Sequence, residues 1–387
     1  MIMQRGITMN FNVTKEHELL RQMYRSFVEK EVRPYAEEVD ETEEFPYETA
    51  KKLAEFGFLG IPFPKKYGGA GGDNLAYAMA VEELSKACGT TGVIVSAHTS
   101  LCAAPIYEFG TEAQREKFLT PLAKGEKLGA FGLTEPNAGT DAGAQKTRAD
   151  EVENGYLING SKIFITNAGP ADIYVVMAMT DLTKGTRGIS AFIIEKGTPG
   201  FTIGKKEKKM GIRGSATAEL IFEDCLIPKE NLLGKIGEGF KIAMKTLDGG
   251  RVGIASQALG LAQGALDATV KYTQERKQFG RKISQFQNTQ FELANMHTKT
   301  EAARLLVYKA ACAKDAKVPY ADMAAMAKLY ASEVSMEVTT KAVQLHGGYG
   351  YTREYGIERM MRDAKITEIY EGTSEVQRMV IAASILK

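Results

Sequence analysis

Through the first third of the chain, apolar residues return every three or four positions, and that period predicts helices. In VTKEHELLRQMYRSFVEKEV, the positions Leu19, Leu20, Met23, Phe27, Val28 and Val32 share one stripe, with Thr14 placed to cap its start. Pro34 loosens this helix because it has no amide hydrogen to donate. PYETAKKLAEFGFLG predicts a shorter helix, opened by Pro46 and ended near Gly57. After the glycine-rich turn KKYGGAGGDN, LAYAMAVEELSKAC and VIVSAHTSLCAAPIYEF predict strongly apolar helices.

The pattern changes near Gly125. Between Leu128 and Leu233, short β-rich runs (YLINGSKIFITN, DIYVVMAMT, ISAFIIE, AELIFEDCLI) alternate with glycine turns, predicting a strand-and-turn module of sandwich or barrel type. No helix-length pattern separates the runs, which argues against a βαβ dinucleotide fold. A third region starts near Gly237. From Arg281 to His346 there is no glycine and one proline, Pro319, while Phe291, Ala294, Met296, Ala303 and Leu306 recur at helical spacing. Long amphipathic helices need partners, so this region predicts a helix bundle. The expected fold class is α+β, with a helical unit at 1–125, a β unit at 126–236 and a helical bundle at 237–387.

Composition adds exclusions. A chain of 387 residues with 44% hydrophobic and 25% charged residues is that of a globular protein of two or three domains. A net charge of +1 supplies no long-range field for nucleic acid or an anionic membrane, so neither is an expected partner. No run reaches the roughly 18 apolar residues that span a bilayer. MIMQRGITMNFN lacks the apolar core of a signal peptide, and Met9 is a second candidate start. Cys88, Cys102, Cys225 and Cys312 are scattered, and the four histidines show no HExxH pairing. No metal site or disulfide framework is therefore expected, and the cytoplasm is the expected compartment.

Four segments could carry chemistry. In IYEGTSEVQR, Glu371 precedes Gly372, with Thr373 and Ser374 able to cap a last helix. An isolated turn glutamate is most often solvated, but one aimed into a cleft has a raised pKa suited to taking a proton from carbon. FGLTEPNAGTDAG combines glycines that let a ligand approach with short hydrogen-bonding side chains; no helix follows, so a Rossmann reading fails. QLHGGYGY ends the long helix and could present amides to a pyrophosphate, with His346 a packing residue. LDGGR and ERKQFG place Arg251 and Arg276 in apolar helical surroundings, where a guanidinium takes a carboxylate or a phosphate. KKEKKM, residues 205–210, reads as a solvated face.

Taken together, LTEPNAGTD, NGSKIFITN, RKQFG, QLHGGYGY and RDAKITEIYEGTSEVQR, in this order and spacing, resemble the acyl-CoA dehydrogenase family, most of all its bacterial short-chain, butyryl-CoA type. The resemblance runs from about Asn10 to the C-terminus. It implies an acyl-CoA dehydrogenase-like fold: an N-terminal α-helical domain, a middle β-sandwich or barrel domain and a C-terminal four-helix bundle. It also implies a homotetramer (a dimer of dimers) with one FAD per subunit, oxidising an acyl-CoA to its trans-2-enoyl-CoA and passing electrons to an electron-transfer flavoprotein.

By the same resemblance Glu371 is the catalytic base. In branched-chain and long-chain members the base sits at the position of Gly250, which cannot serve. The flavin ring would be lined by Phe131, Leu133, Thr134, Gly139 and Thr140, with Phe164 and Thr166 beside it. Arg276, Phe279 and Gln287, with Gln344, Gly347 and Gly348, would meet the FAD of a neighbouring subunit; Thr373 and Glu375 would complete the dinucleotide site. Thr140, Asp248, Arg251 and Gly372 would contact the acyl-CoA, and residues 90–105 would form part of the pocket floor. Where many members carry Trp, this Trp-free chain has Phe164, which keeps an aromatic face but loses an indole N–H. Acyl chain length and the physiological direction, dehydrogenase or enoyl-CoA reductase, stay open at this level.

Overall fold

The computed structural model describes residues 13–386, so the N-terminal stretch with Met9 lies outside the described residues. The chain opens with α1 (Lys15–Glu31), α2 (Ala36–Thr42), α3 (Tyr47–Glu55), α4 (Asn74–Ala87), α5 (Gly89–Ser96), α6 (Ala104–Phe109) and the short α7 (Glu112–Gln114) and α8 (Thr120–Ala123). Thr14 caps α1: its hydroxyl accepts the His17 amide, and the His17 ring accepts the Thr14 amide. The helix stops before Pro34, where a 3₁₀ turn takes over. Between α5 and α6, Ala97–Ala103 wind as a wholly buried π-helical segment, a feature frequent at functional sites.

The strands are β1 (Gly129–Gly132), β2 (Arg148–Val152), β3 (Gly155–Thr166), β4 (Ile173–Met179), β5 (Ile189–Glu195), β6 (Phe201–Lys206), β7 (Thr217–Ile227) and β8 (Leu232–Leu233). They run in the order β6-β7-β3-β2-β4-β5-β8, with β1 parallel to β4. A single registered pair, Arg148 with Met179, joins β2 to β4, so the path folds into two facing halves. Tyr156 of β3 meets Phe192 of β5 at 5.1 Å between ring centroids, and Tyr174 of β4 meets Phe201 of β6 at 4.9 Å.

β4 explains an apolar run without alternation. Tyr174, Val176 and Ala178 face the interior of the β module, while Ile173, Val175, Met177 and Met179 face the helical residues Leu101, Ile106, Leu119 and Ile242. Both faces are buried, so both are apolar.

The C-terminal region contains α9 (Gly239–Glu275), a hairpin of β9 (Lys277–Gln278) and β10 (Arg281–Lys282), α10 (Gln287–Asp315), α11 (Ala321–His346), α12 (Gly348–Tyr351), α13 (Ile357–Lys365) and α14 (Ser374–Ile385). The three long helices α9, α10 and α11 pack on one another, α13 packs on α9 and α11, and α14 packs on α11. Helix α4 also packs against α9 and α10, and its Met79, Val81 and Leu84 share one core with Leu259, Ala303, Val307 and Ala331. The first and last helical regions are thus one packed body, which is why α4 is apolar nearly all round.

One expectation needs correcting. In KKEKKM, Lys209 turns inward and donates to the Ser215 carbonyl at 2.8 Å, and burial presses its ammonium down to about 8.

Candidate active site

Glu371 sits on a turn between a 3₁₀ turn at Ile366–Glu368 and α14. Glu371 and Gly372 are both left-handed, with φ of 56° and 88°. For a residue with a Cβ that conformation costs roughly 1–2 kcal/mol, so the surroundings must hold it. Three helices do. Gln377 of α14 donates to the carbonyls of Glu371 (3.1 Å) and Gly372 (2.8 Å), and Lys328 of α11 donates to the Gly372 carbonyl at 2.8 Å. The Tyr370 hydroxyl bonds the Gln257 side chain of α9. Thr373 caps α14 by accepting the Val376 amide.

The carboxylate points inward. Oε2 of Glu371 is buried and finds no hydrogen-bond partner among the described residues. Burial raises its pKa to about 7, against the pull of the Arg251 and Lys328 charges. Across from it stands Gly250 of α9: a Cβ built there would lie 2.7 Å from Oε2 and 2.7 Å from Leu101 of the π-helical segment. Arg251, next along α9, is buried, donates to Asp248 at 2.7 Å and keeps its Nε unpartnered. Burial also raises Asp248, partly offset by Arg251 and Lys314. A desolvated carboxylate with a free oxygen near neutral pKa can accept a proton from a weak carbon acid.

The segment after β1 folds tightly. Glu135 and Ala138 exchange backbone hydrogen bonds around Pro136 and Asn137. The Ile163 amide donates to the Thr134 carbonyl at 2.8 Å, tying the loop to β3. Beneath it lies a buried ion pair: the Lys162 ammonium reaches Glu135 at 2.6 Å, Gln145 at 3.0 Å and the Leu133 carbonyl at 3.2 Å. Burial works to raise Glu135, but the Lys162 charge and the amide donors outweigh it and hold the carboxylate below its usual range. One strand-step on, the β3–β7 register slips between Lys162 and Ile165, and Phe164, at φ 58°, projects with 60% of its surface exposed. Thr166 ends β3 opposite Thr217. Gly139 and Thr140 are exposed in the loop.

Arg276, Gln344, Gly347 and Gly348 meet elsewhere, in a cleft of about 550 Å³ that also includes Tyr272 and His346. His346 packs on Tyr272 at 4.2 Å, and the Arg276 guanidinium lies over the Tyr349 ring at 5.3 Å. Phe279 and Gly280, both at positive φ, form the tip of the β9–β10 hairpin, with Phe279 93% exposed; the turn fits the type I′ class favoured in two-residue hairpins. Gln287 opens α10, and Thr373 and Glu375 stay with the Glu371 turn. Arg276, Gln344, Gly347 and Gly348 therefore share a cleft that has no lining residue in common with the Glu371 turn.

Three family models cover nearly the whole chain: the acyl-CoA dehydrogenase N-terminal domain at residues 14–126, the middle domain at 130–225 and the C-terminal domain at 237–386. The chain belongs to the acyl-CoA dehydrogenase family. It is 65% identical to the short-chain-specific acyl-CoA dehydrogenase of Clostridium acetobutylicum, over 98% of this chain and 100% of that one. Butyryl-CoA dehydrogenase from Megasphaera elsdenii superposes with a TM-score of 0.96 at 55% identity, covering 98% and 100% of the two chains. A chain solved in work on the electron transferring flavoprotein of Acidaminococcus fermentans superposes with a TM-score of 0.97 at 59% identity, over 98% and 100%.

This acyl-CoA dehydrogenase is an oxidoreductase that uses FAD, and its residues fit the group. Phe164 offers an exposed aromatic face on a bulge, and no atom stands within 4 Å of a Cβ built at Gly139, Gly347 or Gly348, so backbone there is open to a ligand. Sequence reading missed the supporting residues: Lys162 and Glu135 under the loop after β1, Lys328 and Gln377 behind the Glu371 turn. Lys162, Glu135 and Gln377 lie inside the quoted motifs and Lys328 on a separate helix, but a lysine in a strand or helix reads as solvated until packing is seen.

Proposed function

We propose that this acyl-CoA dehydrogenase oxidises a short-chain acyl-CoA to the trans-2-enoyl-CoA, with Glu371 removing the α-proton. The observation that carries the reading is the buried, unpartnered Oε2 of Glu371, raised to about 7 and facing the space that Gly250 leaves open. A hydrogen α to a thioester is weakly acidic, so its removal needs a desolvated base and a polarised carbonyl. The Glu371 amide donates to the thioester oxygen in this reading. Thr140, Asp248, Arg251 and Gly372 contact the acyl-CoA, with Leu101 closing the floor beside Gly250. FAD, when bound, accepts the β-hydrogen as hydride at N5. Phe131, Leu133, Thr134, Gly139, Thr140, Phe164 and Thr166 orient its ring, and Thr373 and Glu375 its dinucleotide end. The short acyl length is supported by the identity to a short-chain-specific enzyme.

Assembly is the second half of the proposal. Arg276, Gln344, Gly347 and Gly348 line a cleft that does not include the Glu371 turn, and in this reading they meet, with Phe279 and Gln287, the FAD of a neighbouring subunit. An apolar ring exposed at a hairpin tip supports a homotetramer in which Phe279 inserts into a neighbour. Reduced enzyme hands electrons to an electron-transfer flavoprotein. No helix among the described residues is long and apolar enough to cross a membrane; four unpaired cysteines support a cytoplasmic setting.

Glu371→Gln tests the base. The variant keeps FAD and binds butyryl-CoA, while anaerobic bleaching of its flavin falls by at least about 10³-fold. Wild-type bleaching would overturn the assignment.

A further inference from the structure

Lys328 lies in the middle of α11, in the alanine-rich stretch AMAKLYASE, and is 0% exposed. A methionine or leucine would fill such a position without desolvating a charge, which costs several kcal/mol. The ammonium's hydrogen-bond acceptor among the described residues is the Gly372 carbonyl, at 2.8 Å. Gln377 already supplies a neutral donor to that carbonyl, so the lysine adds a second donor and, above all, a full positive charge behind the base.

We infer that Lys328 is a positioning residue for the base: through the Gly372 carbonyl it holds the left-handed Glu371–Gly372 turn, and its charge favours the Glu371 carboxylate. The inference rests on Glu371 being the base.

The charged and titratable groups facing this turn are few. On α9, Arg251 acts on Glu371 but is tied to Asp248. Glu368 and Glu375, on the segments flanking the turn, act on Lys328, as does Arg251. Tyr77 from α4 and Tyr370 from the turn itself feel Glu371 and are raised, mainly by burial. Lys328 is therefore the cation near Glu371 that no carboxylate claims by a hydrogen bond among the described residues. Burial presses its own pKa down to about 8 while Glu371 pulls it back up, so ammonium and carboxylate coexist near pH 7.

The test uses the FAD-loaded enzyme, with anaerobic single-turnover bleaching by butyryl-CoA followed from pH 5.5 to 9. Lys328→Met is expected to retain FAD, to bleach about tenfold more slowly at pH 7 and to reach half its maximal rate about one pH unit higher, because loss of a nearby positive charge disfavours the carboxylate. A purely structural role would lower the rate without moving that midpoint. If Lys328→Met does not hold FAD, Lys328→Gln, which keeps a donor without the charge, is read in the same way with the same upward shift expected. An unmoved midpoint in the FAD-loaded variant, with Glu371→Gln inactive, overturns the role of Lys328 alone. Wild-type bleaching by Glu371→Gln overturns the base assignment and this inference with it.

Discussion

A side chain at Gly250 would bring its first carbon to 2.7 Å from Oε2 and 3.2 Å from the carboxyl carbon of Glu371. Helix α9 and the turn before α14 approach this closely because residue 250 has no Cβ. Gly250→Ala should displace the carboxylate. Overpacking of this kind costs about 1–3 kcal/mol, and a misplacement of ~1 Å at a reacting group can cost on the order of 10²-fold in rate. Rapid-mixing measurement of flavin bleaching, on protein with full FAD content, checks this. A wild-type rate would show that the carboxylate has room to spare.

The burial that raises the Glu371 carboxyl works against stability. Its folded pKa, about 7, stands above the ordinary glutamate value of 4.5. The carboxyl therefore contributes relative stability below about pH 4.5, where both states are protonated, and that contribution is lost as pH rises through about 7. Glu371→Gln cannot lose a proton. Its stability relative to wild type should rise between pH 5 and pH 8 by about 1–3 kcal/mol. Denaturant midpoints of the FAD-loaded proteins at the two pH values read this difference, and any constant offset from the amide cancels. A gap that stays flat with pH would place the Glu371 pKa near its ordinary value.

Much of the architecture could be read before any coordinates, because the chain punctuates itself. Thr14, Pro34, Gly57 and Gly347 mark helix ends where capping, a missing amide hydrogen or positive φ demands them. The strands β1, β2 and β6 were not singled out: β2 is RADEV, with one buried residue, Ala149, and β6 ends in two exposed lysines. The polar β2 and β6 carry little periodic signal and the four-residue β1, though wholly buried, is too short to show one, so register alone reveals them. Glu371 could be marked as a candidate from its turn, but only the fold shows that Gly250, Arg251, Lys328 and Leu101 converge on it from helices far apart in sequence. The shared core of α4, α9 and α10 was likewise invisible, since periodicity tells which face is apolar and not which helix covers it.

The Lys162–Glu135 pair gives a sharp prediction for the loop after β1. Both groups are buried, and Glu135 also accepts the Lys146 and Thr147 amides. Lys162→Met leaves Glu135 as a buried, uncompensated charge, which typically costs about 3–5 kcal/mol. The double variant Lys162→Met with Glu135→Gln should recover most of that loss. Both should bind FAD more weakly than wild type, because the loop from Leu133 to Gln145 loses its anchor. Urea unfolding of wild type, Lys162→Met, Glu135→Gln and the double variant closes the cycle, and a coupling below about 0.5 kcal/mol would mean that the pair is decorative.

The cleft at Arg276 bears on assembly. Arg276 is exposed over Tyr349 at the cleft with Gly347 and Gly348, and Phe279 stands out at the hairpin tip. If a neighbour's FAD occupies that cleft, its pyrophosphate is the natural partner of the guanidinium. Arg276→Ala should then raise the FAD dissociation constant by about tenfold or more, in line with roughly 1.5–3 kcal/mol for a charge-assisted hydrogen bond, while the melting temperature of the apoprotein stays unchanged. Phe279→Asp should act differently. If Phe279 inserts into a neighbour as proposed, a charge there breaks the assembly first, so light scattering should report dimers or monomers, and FAD loss should follow from the missing neighbour. Retained tetramers and unchanged FAD affinity in both variants would separate the cleft from the flavin.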